Sequence, residues 1–529
     1  MSTAEGRAPG RGVVRSSAPV ALGTALSRLT GFLRLAAMAY AIGFTRLTDT
    51  YNLANTTPNI VYELLLGGVL SATLVPVFVD HRDRDDDEAT SAVITVAAVV
   101  LLVLTVVGIL AAPAIVRLYT LRVEGAAAEA QQEVAAALLR LLMPQMLFYG
   151  LVAMASALLH AHRRFAAPAF VPILNNLVVT AVFLSLPRIV EGTPTLDQVR
   201  GDAGLILLLG LGTTAGIATM GLALLPALRR TGVRLRPVFS WRHPAVRKVL
   251  ALSGWTAGYV ASNQLALWVV LVLANDLAGG VSSYQGAFVF FQLPHGLVAV
   301  SLMTTIAPDL AGAAGRGDLA GFRDRFDLGV RLMILAILPA AAGYLVLSRP
   351  VVGFLLERGA LSGASAQLTA DCLAAFALGL VPFSLYLYAL RGFYALHDTR
   401  TPFLLNVLEN GINIGLALVL SRWLDVRGLA LAYAGAYGVA AVAAVTVLGR
   451  RTGGHLGGSA IALARPLMAA TAMAVAVRLA VTALPDTTSD GAVVAVGVLL
   501  GAATYAAALA ALGVSEAGEL LARLRRRGR

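Results

Sequence analysis

Two arginines lie inside an apolar stretch near the start of the chain. Arg28 and Arg34 belong to the segment SRLTGFLRLAAMAYAI, whose composition is typical of a membrane-spanning helix. An arginine at the centre of such a helix costs about 2.5–3.5 kcal/mol on insertion scales, so it usually faces a cavity. Two guanidinium groups can hold a phosphate or pyrophosphate through paired hydrogen bonds. The pair therefore predicts an anion-binding cavity, although Arg28 stands near enough to the helix start to reach the headgroups instead.

A stripe of polar residues follows on the next predicted helix. Its members share one helix face and are Asn52, Asn55, Asn59 and Glu63. The stripe predicts either a wall of the same cavity or hydrogen bonds to a neighbouring helix. If the two helices form a hairpin, Glu63 lies within about one helical turn of the depth of Arg34, so we expect these side chains to pair, directly or through water, when no anion is bound. Asp49, just before the stripe, is predicted to be a helix N-cap or a gate residue.

A second polar stripe occurs much later in the chain and is open to the same two interpretations. It consists of Asn406, Glu409, Asn410 and Asn413. The sequence holds no GxxxxGK[ST] phosphate-binding loop and no HExxH pair among its seven histidines. The single cysteine, Cys372, excludes a disulfide framework and a cysteine metal site. We therefore expect no catalytic residue, no metal ligand and no cofactor, in a protein that is not an enzyme.

The composition places the whole chain in a membrane. Of its 529 residues, 58% are hydrophobic and 13% are charged, whereas soluble domains have roughly 25% charged residues. Apolar runs of sufficient length predict an all-α integral membrane protein with about 14 transmembrane helices. The formal net charge is +12. Because the basic residues concentrate in alternate loops, this charge indicates membrane topology and anionic lipid headgroups rather than binding to nucleic acid.

Two sequence matches indicate an internal duplication. SATLVP at 71–76 resembles MTTIAP at 303–308, and HRRFAAPAFVPILNN at 162–176 resembles LHDTRTPFLLNVLEN, offset by 232 and 234 residues. Six predicted spans separate the partners, so the repeats should run in the same orientation. The predicted organisation is two pseudosymmetric six-helix lobes and two appended helices. Its segments are a tail at 1–17, lobes at 18–230 and 246–450, a basic linker at 231–245, the last helices at 451–514 and a basic tail at 515–529.

Several blocks of the sequence resemble one family of membrane transporters. They are SRLTGFLR, TDTYNLANTTPN, GGVLSATLVPVF, RRFAAPAFVPILNN, FFQLPHGLVAVSLMTTIAPDL and RGFYALHDTRTPFLLNVLENGINIGLALVL. These blocks are similar to those of the MurJ (MviN) lipid II flippases in the multidrug/oligosaccharidyl-lipid/polysaccharide exporter superfamily. The resemblance implies a V-shaped pair of lobes around a cationic cavity, with Arg28 and Arg34 in the cavity and Asp49 at its outer end. It also implies a groove for a polyprenyl tail beside the last two helices.

The same resemblance implies a substrate, a location and partners. The substrate would be an undecaprenyl-pyrophosphate-linked disaccharide-pentapeptide, moved by alternating access from the inner to the outer leaflet of the bacterial plasma membrane during cell wall biosynthesis. Membrane lipids and cell wall synthesis proteins are the other expected partners. A membrane potential or an ion gradient is the expected source of energy.

Three positions depart from the family pattern. Tyr62 and Glu63 stand where the family usually has basic residues, and Val289 stands where it has an arginine before a proline-glycine turn. These departures leave open the export of another polyprenyl-linked oligosaccharide or of a drug. An integral membrane glycosyltransferase is a third hypothesis, but the longest outward loops, near 117–134 and 349–365, are short and show no catalytic carboxylate cluster.

The distribution of basic residues predicts that both termini are cytoplasmic. Alternating the loops across the predicted spans places both tails and the linker on the more basic side of the membrane. Cysteine labelling of intact cells from outside should therefore modify a cysteine introduced at Thr195 and leave one introduced at Arg525 unmodified. The opposite labelling pattern would reverse the topology.

Overall fold

Every regular element in the described part of the chain is a helix. The computed structural model describes residues 10–64, 74–84, 86–252, 254–456 and 460–514. Eleven helices in those ranges are long and apolar enough to cross a membrane. This confirms the predicted all-α membrane fold, whereas the expected count of about 14 spans stays a prediction. The helices Gly10–Ile42 (α1) and Arg46–Tyr62 (α2), which carry the first polar residues, are not among the eleven.

The chain divides into two compact units, Met1–Gln264 and Leu265–Arg529. The further helices of the first unit are α3 (Val75–Asp83), α4 (Asp87–Tyr119), α5 (Gly125–Leu142), α6 (Gln145–Ala161), α7 (Ala166–Ile189), α8 (Leu196–Gly201), α9 (Ala203–Arg229) and α10 (Pro244–Leu252). The boundary falls within α11 (Gly254–Ala274). The second unit has α12 (Gly280–Pro294), a π-helical turn (His295–Ala299), α13 (Val300–Gly315), α14 (Leu319–Leu356), α15 (Gly363–Ala395), α16 (Arg400–Arg451), α17 (Ala460–Ala483) and α18 (Asp490–Ala511).

Two boundaries in the structure, the start of α1 and the division between the units, differ from those of the predicted segments. α1 begins at Gly10, inside the tail predicted at 1–17. Residues 1–9 and the predicted basic tail at 515–529 lie outside the described residues. The boundary between the units falls in α11 rather than in the predicted linker at 231–245, because α10 packs against α4 of the first unit. The linker and α10 therefore belong to the first unit.

The two units share an unusual loop conformation at matching positions. Arg163, before α7, has φ 57°, and His397, 234 residues later and before α16, has φ 58°. Residues other than glycine rarely adopt this left-handed region. The amides of Arg164 and Asp398 each donate to the carbonyl oxygen five residues earlier, over 2.8 and 2.9 Å. The same local geometry at the offset of the sequence match supports the predicted duplication.

Helix starts also repeat between the units. Pro168 and Pro402 each occupy the third position of their helix, α7 and α16. Asp86 and Asp318, separated by the offset of the other match, are the N-caps of α4 and α14. Each carboxylate accepts a hydrogen bond of 2.8 Å from the amide three residues later, which satisfies a free donor of the first turn.

A charged contact ties each left-handed loop to a later helix end. Arg164 donates to the carbonyl oxygen of Arg230, just after α9, over 2.8 Å. In the second unit Arg451, at the end of α16, forms an ion pair of 2.5 Å with Asp398. Burial alone would raise the pKa of the Asp398 carboxyl. The hydrogen bonds from Thr401 and the positive charge of Arg451 outweigh burial, so this pKa is lowered.

α16 is two helices in a tight hairpin. Its 52 residues are interrupted at Asp425, where φ is 47° and ψ is −135°. A Cβ on Gly428 would lie 2.5 Å from the carbonyl oxygen of Leu420, and one on Gly435 would lie 3.2 Å from Leu416. The chain therefore folds back at Asp425, so that the predicted spans at 403–421 and 428–449 lie side by side.

The hairpin predicts a strong effect of one methyl group. Gly428→Ala should lower the free energy of unfolding by about 1–3 kcal/mol, because the new Cβ overlaps a backbone oxygen that cannot rotate away. Gly438→Ala is the matched control, since no atom lies within 4 Å of its Cβ position. Thermal unfolding of the purified variants in detergent measures both. Equal melting temperatures for the two variants would contradict the close approach.

Candidate functional site

Arg34 is a half-buried cation without a carboxylate partner among the described residues. Its guanidinium group acts electrostatically on the hydroxyl groups of Tyr51 in α2 and Tyr149 in α6. No ion pair or hydrogen bond joins this group to a described residue. Phenols are neutral, so these two side chains supply dipoles and no negative charge. A half-buried guanidinium group of this kind requires water or an anion.

Two stacked tyrosines link the surroundings of Arg34 to those of Glu63. The rings of Tyr62 and Tyr149 have centroids 5.7 Å apart and planes 29° apart, and Glu63 acts electrostatically on Tyr62. A water-bridged pairing of Arg34 with Glu63 stays a prediction. A direct ion pair between them is absent, because neither side chain forms an ion pair with a described residue. The reason is helix packing: α1 contacts mainly α7, while α2 contacts mainly α5 and α6.

Contacts with three other helices hold α2 in place. The hydroxyl groups of Tyr51 and Thr213, on α9, lie 2.9 Å apart. The Gln145 amide, at the start of α6, donates to Asn55 Oδ1 over 3.3 Å. The Tyr51 ring packs edge-on against Phe183 of α7, with centroids 5.2 Å apart. Two hydrogen bonds and one ring contact therefore fix the position of α2 within the first unit.

The predicted stripe on α2 changes its surroundings along the helix. Asn52 is buried, Asn55 is half-buried and hydrogen-bonded, Asn59 is exposed and Glu63 is half-buried. The first half of the stripe therefore contacts neighbouring helices. The second half offers polar groups at an accessible surface, and its role in a cavity stays a prediction.

α7 sets the orientation of the helix that carries both arginines. Asn176 Nδ2 donates to the carbonyl oxygen of Ser27 over 3.0 Å and lies 3.1 Å from Thr30 Oγ1. These contacts flank Arg28, which is half-buried and has no ion pair within the described ranges. Gly23 permits the close packing, since a Cβ there would lie 2.9 Å from a backbone oxygen of α7. The interface with α7 thus fixes the directions of Arg28 and Arg34.

Asp49 lies inside the first turn of α2 rather than at its N-cap. The cap position belongs to Thr45, and the Asp49 side chain is fully buried. The N-cap interpretation is therefore wrong, because the helix begins earlier than the sequence pattern suggested. A carboxylate in the first turn is stabilised by the positive end of the helix dipole. The gate role stays a prediction.

The second polar stripe is buried inside the second unit. The exposed fractions of Asn406, Glu409, Asn410 and Asn413 are 1%, 1%, 5% and 5%. Asn410 Nδ2 donates to the carbonyl oxygen of Asn406 over 2.9 Å, while one oxygen each of Glu409 and Asn413 has no partner among the described residues. Their helix packs against α12 and α15. This burial favours helix–helix contacts over a cavity wall.

Sequence reasoning missed several residues of other helices that contact α1 or α2 near the arginines. They are Gln145, Tyr149, Asn176 and Thr213. Only Asn176 had a signal, because the repeat aligns it with Asn410. The others contact the site across long stretches of sequence, such as the 162 residues between Tyr51 and Thr213.

The comparison with protein families decides the assignment. The family model described as lipid II flippase MurJ matches residues 38–498. The chain belongs to the lipid II flippase MurJ family. Among similar proteins, the probable lipid II flippase MurJ of Rhizobium meliloti is 30% identical over 79% of this chain and 77% of the relative. That of Vibrio cholerae is 27% identical over 79% and 80%.

Solved structures show the same fold. The structure titled lipid II flippase MurJ, inward closed conformation, matches with a TM-score of 0.77 and 21% identity over 92% of this chain and 97% of the other. An inward-facing MATE multidrug resistance transporter of the MOP superfamily matches with a TM-score of 0.65 and 13% identity over 81% and 98%. At these identities the likeness concerns the fold alone. Arg28 and Arg34 precede the residues matched by the family model, so their role depends on their own surroundings.

Proposed function

We propose that this MurJ family member moves lipid II, an undecaprenyl-pyrophosphate-linked disaccharide-pentapeptide, from the inner to the outer leaflet of the bacterial plasma membrane by alternating access. The observation that carries the proposal is the pair of half-buried arginines on α1, which no described residue neutralises, in a chain of this family. In this proposal both termini are cytoplasmic. A membrane potential or an ion gradient supplies the energy, without a cofactor.

The arginines suit the pyrophosphate group of the substrate. Arg28 and Arg34 are about 9 Å apart along the helix axis, a distance that two long side chains can span around one diphosphate. Guanidinium groups donate paired hydrogen bonds to phosphate oxygens. The phenols of Tyr51 and Tyr149 supply no negative charge to Arg34, and no described residue forms an ion pair with it. The pyrophosphate of the substrate would supply that charge.

An apolar groove in the second unit suits a polyprenyl tail. It has a volume of about 780 Å³ and is lined by α14, α17 and α18. Three glycines, Gly343, Gly497 and Gly501, widen it, and leucine, valine, alanine and methionine form most of the rest. A long hydrocarbon chain gains free energy in such a groove through burial of apolar surface.

The two tyrosines of the groove present no free hydroxyl group. Tyr505 donates to the carbonyl oxygen of Leu335 over 2.9 Å, and Tyr344 donates to that of Phe290 over 3.0 Å. Because both hydroxyl groups are already satisfied, the rings act as apolar wall. The groove is thus chemically matched to hydrocarbon and not to a polar ligand.

A second candidate substrate is favoured by the stacked tyrosines. Tyr62 packs on Tyr149, and Glu63 follows, at positions where the family usually has basic residues. Two aromatic faces and one carboxylate are less suited to an additional phosphate than basic side chains are. A polyprenyl-pyrophosphate carrier with another saccharide is therefore the alternative.

The proposed function predicts a large effect of one arginine. In proteoliposomes with fluorescent lipid II, Arg34→Ala should slow translocation about 10- to 100-fold, the cost of losing charge-assisted hydrogen bonds of about 1.5–3 kcal/mol. Glu63→Gln should retain or tighten substrate binding, because it removes a negative charge near the anion. Access of a membrane-impermeant quencher to the labelled lipid measures translocation.

The control for this experiment is Arg200→Ala. Arg200 is an exposed arginine paired with Glu133 at 2.6 Å, and its loss should leave the rate unchanged. If the Arg34→Ala variant translocates lipid II at the wild-type rate, Arg34 has no part in the mechanism. If a polyprenyl-pyrophosphate that bears another saccharide is translocated faster than lipid II, that molecule is the substrate and the alternative is correct.

The groove predicts a second, separable effect. Gly343→Leu should weaken binding of the full-length substrate roughly tenfold. The new side chain would occupy space that the bound hydrocarbon tail fills, and overpacking of this kind costs about 1–3 kcal/mol. No atom lies within 4 Å of the Cβ position of Gly343, so the variant should fold. Gly415→Leu, equally open and outside the groove, is the control. Binding of a short-tailed analogue should be unaffected by either change; equal losses for short and long tails would exclude the groove as the tail site.

A further inference from the structure

The basic linker of the first unit lies along α4 in an extended conformation. Three of its backbone amides, at alternate positions, donate to side chains that follow one another at every fourth residue of α4. The pairs are Arg234 to Asp87 at 3.1 Å, Arg236 to Ser91 at 3.2 Å and Val238 to Thr95 at 3.2 Å. Two residues of extended chain advance about 6.6 Å, and four residues of helix advance about 6 Å. The spacing of the donating amides therefore matches the spacing of their acceptors on α4. The linker is therefore fixed to the helix.

An apolar crevice opens beside this attached linker. It has a volume of about 500 Å³, within the range of about 300–1,000 Å³ typical of ligand sites. Its walls are Ile94, Ala98, Val99 and Leu102 of α4, Leu147 and Leu151 of α6, and Leu235 and Pro237 of the linker. Ser91 and Thr95 also line it, but their hydroxyl groups already accept from the linker amides.

Among the described residues that line the crevice, Arg236 is the one that carries a charge. It is exposed, and no described residue forms an ion pair or a side-chain hydrogen bond with its guanidinium group. A guanidinium group beside an apolar slot matches a ligand with a phosphate at one end and hydrocarbon at the other.

The rest of the linker has the composition of a membrane interface. Phe239 and Trp241 are both 64% exposed, and Arg242 lies over the Trp241 ring at 5.5 Å from its centroid. α10 follows with Ala245 and Val246 buried. Exposed aromatic residues mark the headgroup level of a bilayer, and basic residues there attract anionic lipids. The crevice therefore opens at the depth where a phospholipid places its phosphate.

We propose that this crevice is a binding site for an anionic phospholipid of the membrane, with one acyl chain against α4 and α6 and the phosphate on Arg236. The lipid completes the contact between the linker and α4, because it fills the space that the amide hydrogen bonds leave open. The site lies within the first unit and does not involve the arginines of α1, so the inference is independent of the transported substrate.

The test is lipid retention by the purified full-length protein. After delipidation in detergent, dioleoyl phosphatidylglycerol, dioleoyl phosphatidylcholine or inorganic phosphate is added, and bound molecules are counted by native mass spectrometry. Wild-type protein should retain one phosphatidylglycerol in preference to phosphatidylcholine and no phosphate. Arg236→Gln should weaken phosphatidylglycerol binding about tenfold, the effect of losing a charge-assisted hydrogen bond. Ala98→Phe, which fills the slot, should abolish retention of both lipids there.

The matched control is Arg316→Gln. Arg316 is likewise exposed and has no ion pair within the described ranges, but it lies in the second unit. Its loss should leave phosphatidylglycerol binding unchanged. The proposal is overturned if Arg236→Gln binds phosphatidylglycerol as tightly as the wild type does. It is also overturned if wild-type protein does not discriminate between the lipids, or if it retains inorganic phosphate alone.

Discussion

The cost of keeping half-buried guanidinium groups charged is the physical constraint on the arrangement of α1 in the first unit. Arg28 and Arg34 are half-buried and lack an ion pair in the part of the chain that the structure describes. The groups that Arg34 acts on are the phenols of Tyr51 and Tyr149, which polarise but do not neutralise. An arrangement of this kind is stable only with water or an anion beside the arginines. The packing of α1 on α7, through Gly23 and Asn176, serves to hold these cations in that unpaired state.

The positions that the predicted repeat aligns have different polar surroundings in the two units. Arg163 and His397 adopt the same left-handed conformation in matching loops. In the following helix, Asn175 and Asn176 of the first unit align with Glu409 and Asn410 of the second. Asn176 donates hydrogen bonds to α1, whereas Glu409 and Asn410 are buried inside the second unit. The stripe around Glu409 therefore presents no accessible polar group comparable to the exposed Asn59 of α2.

Residue types and spacing correctly predicted the all-α membrane class, because that class depends on local composition. The repeated pattern also predicted the matching loops at Arg163 and His397, whose shared conformation supports the duplication. Periodicity identifies the face of a helix but not the neighbour that this face meets. The stripe on α2 was therefore found, while its division between buried Asn52 and exposed Asn59 was not. The direct form of the expected pairing of Arg34 with Glu63 failed for the same reason: adjacent helices in sequence need not be the closest in space. The cap assigned to Asp49 failed because the helix begins at Arg46, where no apolar pattern marks the start.

In the proposed function, the lack of a direct ion pair between Arg34 and Glu63 among the described residues bears on substrate release. A carboxylate paired with the arginine would compete with a pyrophosphate and help to expel it. Without such a pair, a bound pyrophosphate would leave when hydration or movement of α1 weakens its interaction with the arginines. The proposed alternating access would supply both changes, because it would expose the same cations to water on the other side of the membrane. In this proposal the conformational change is itself the step that releases the lipid.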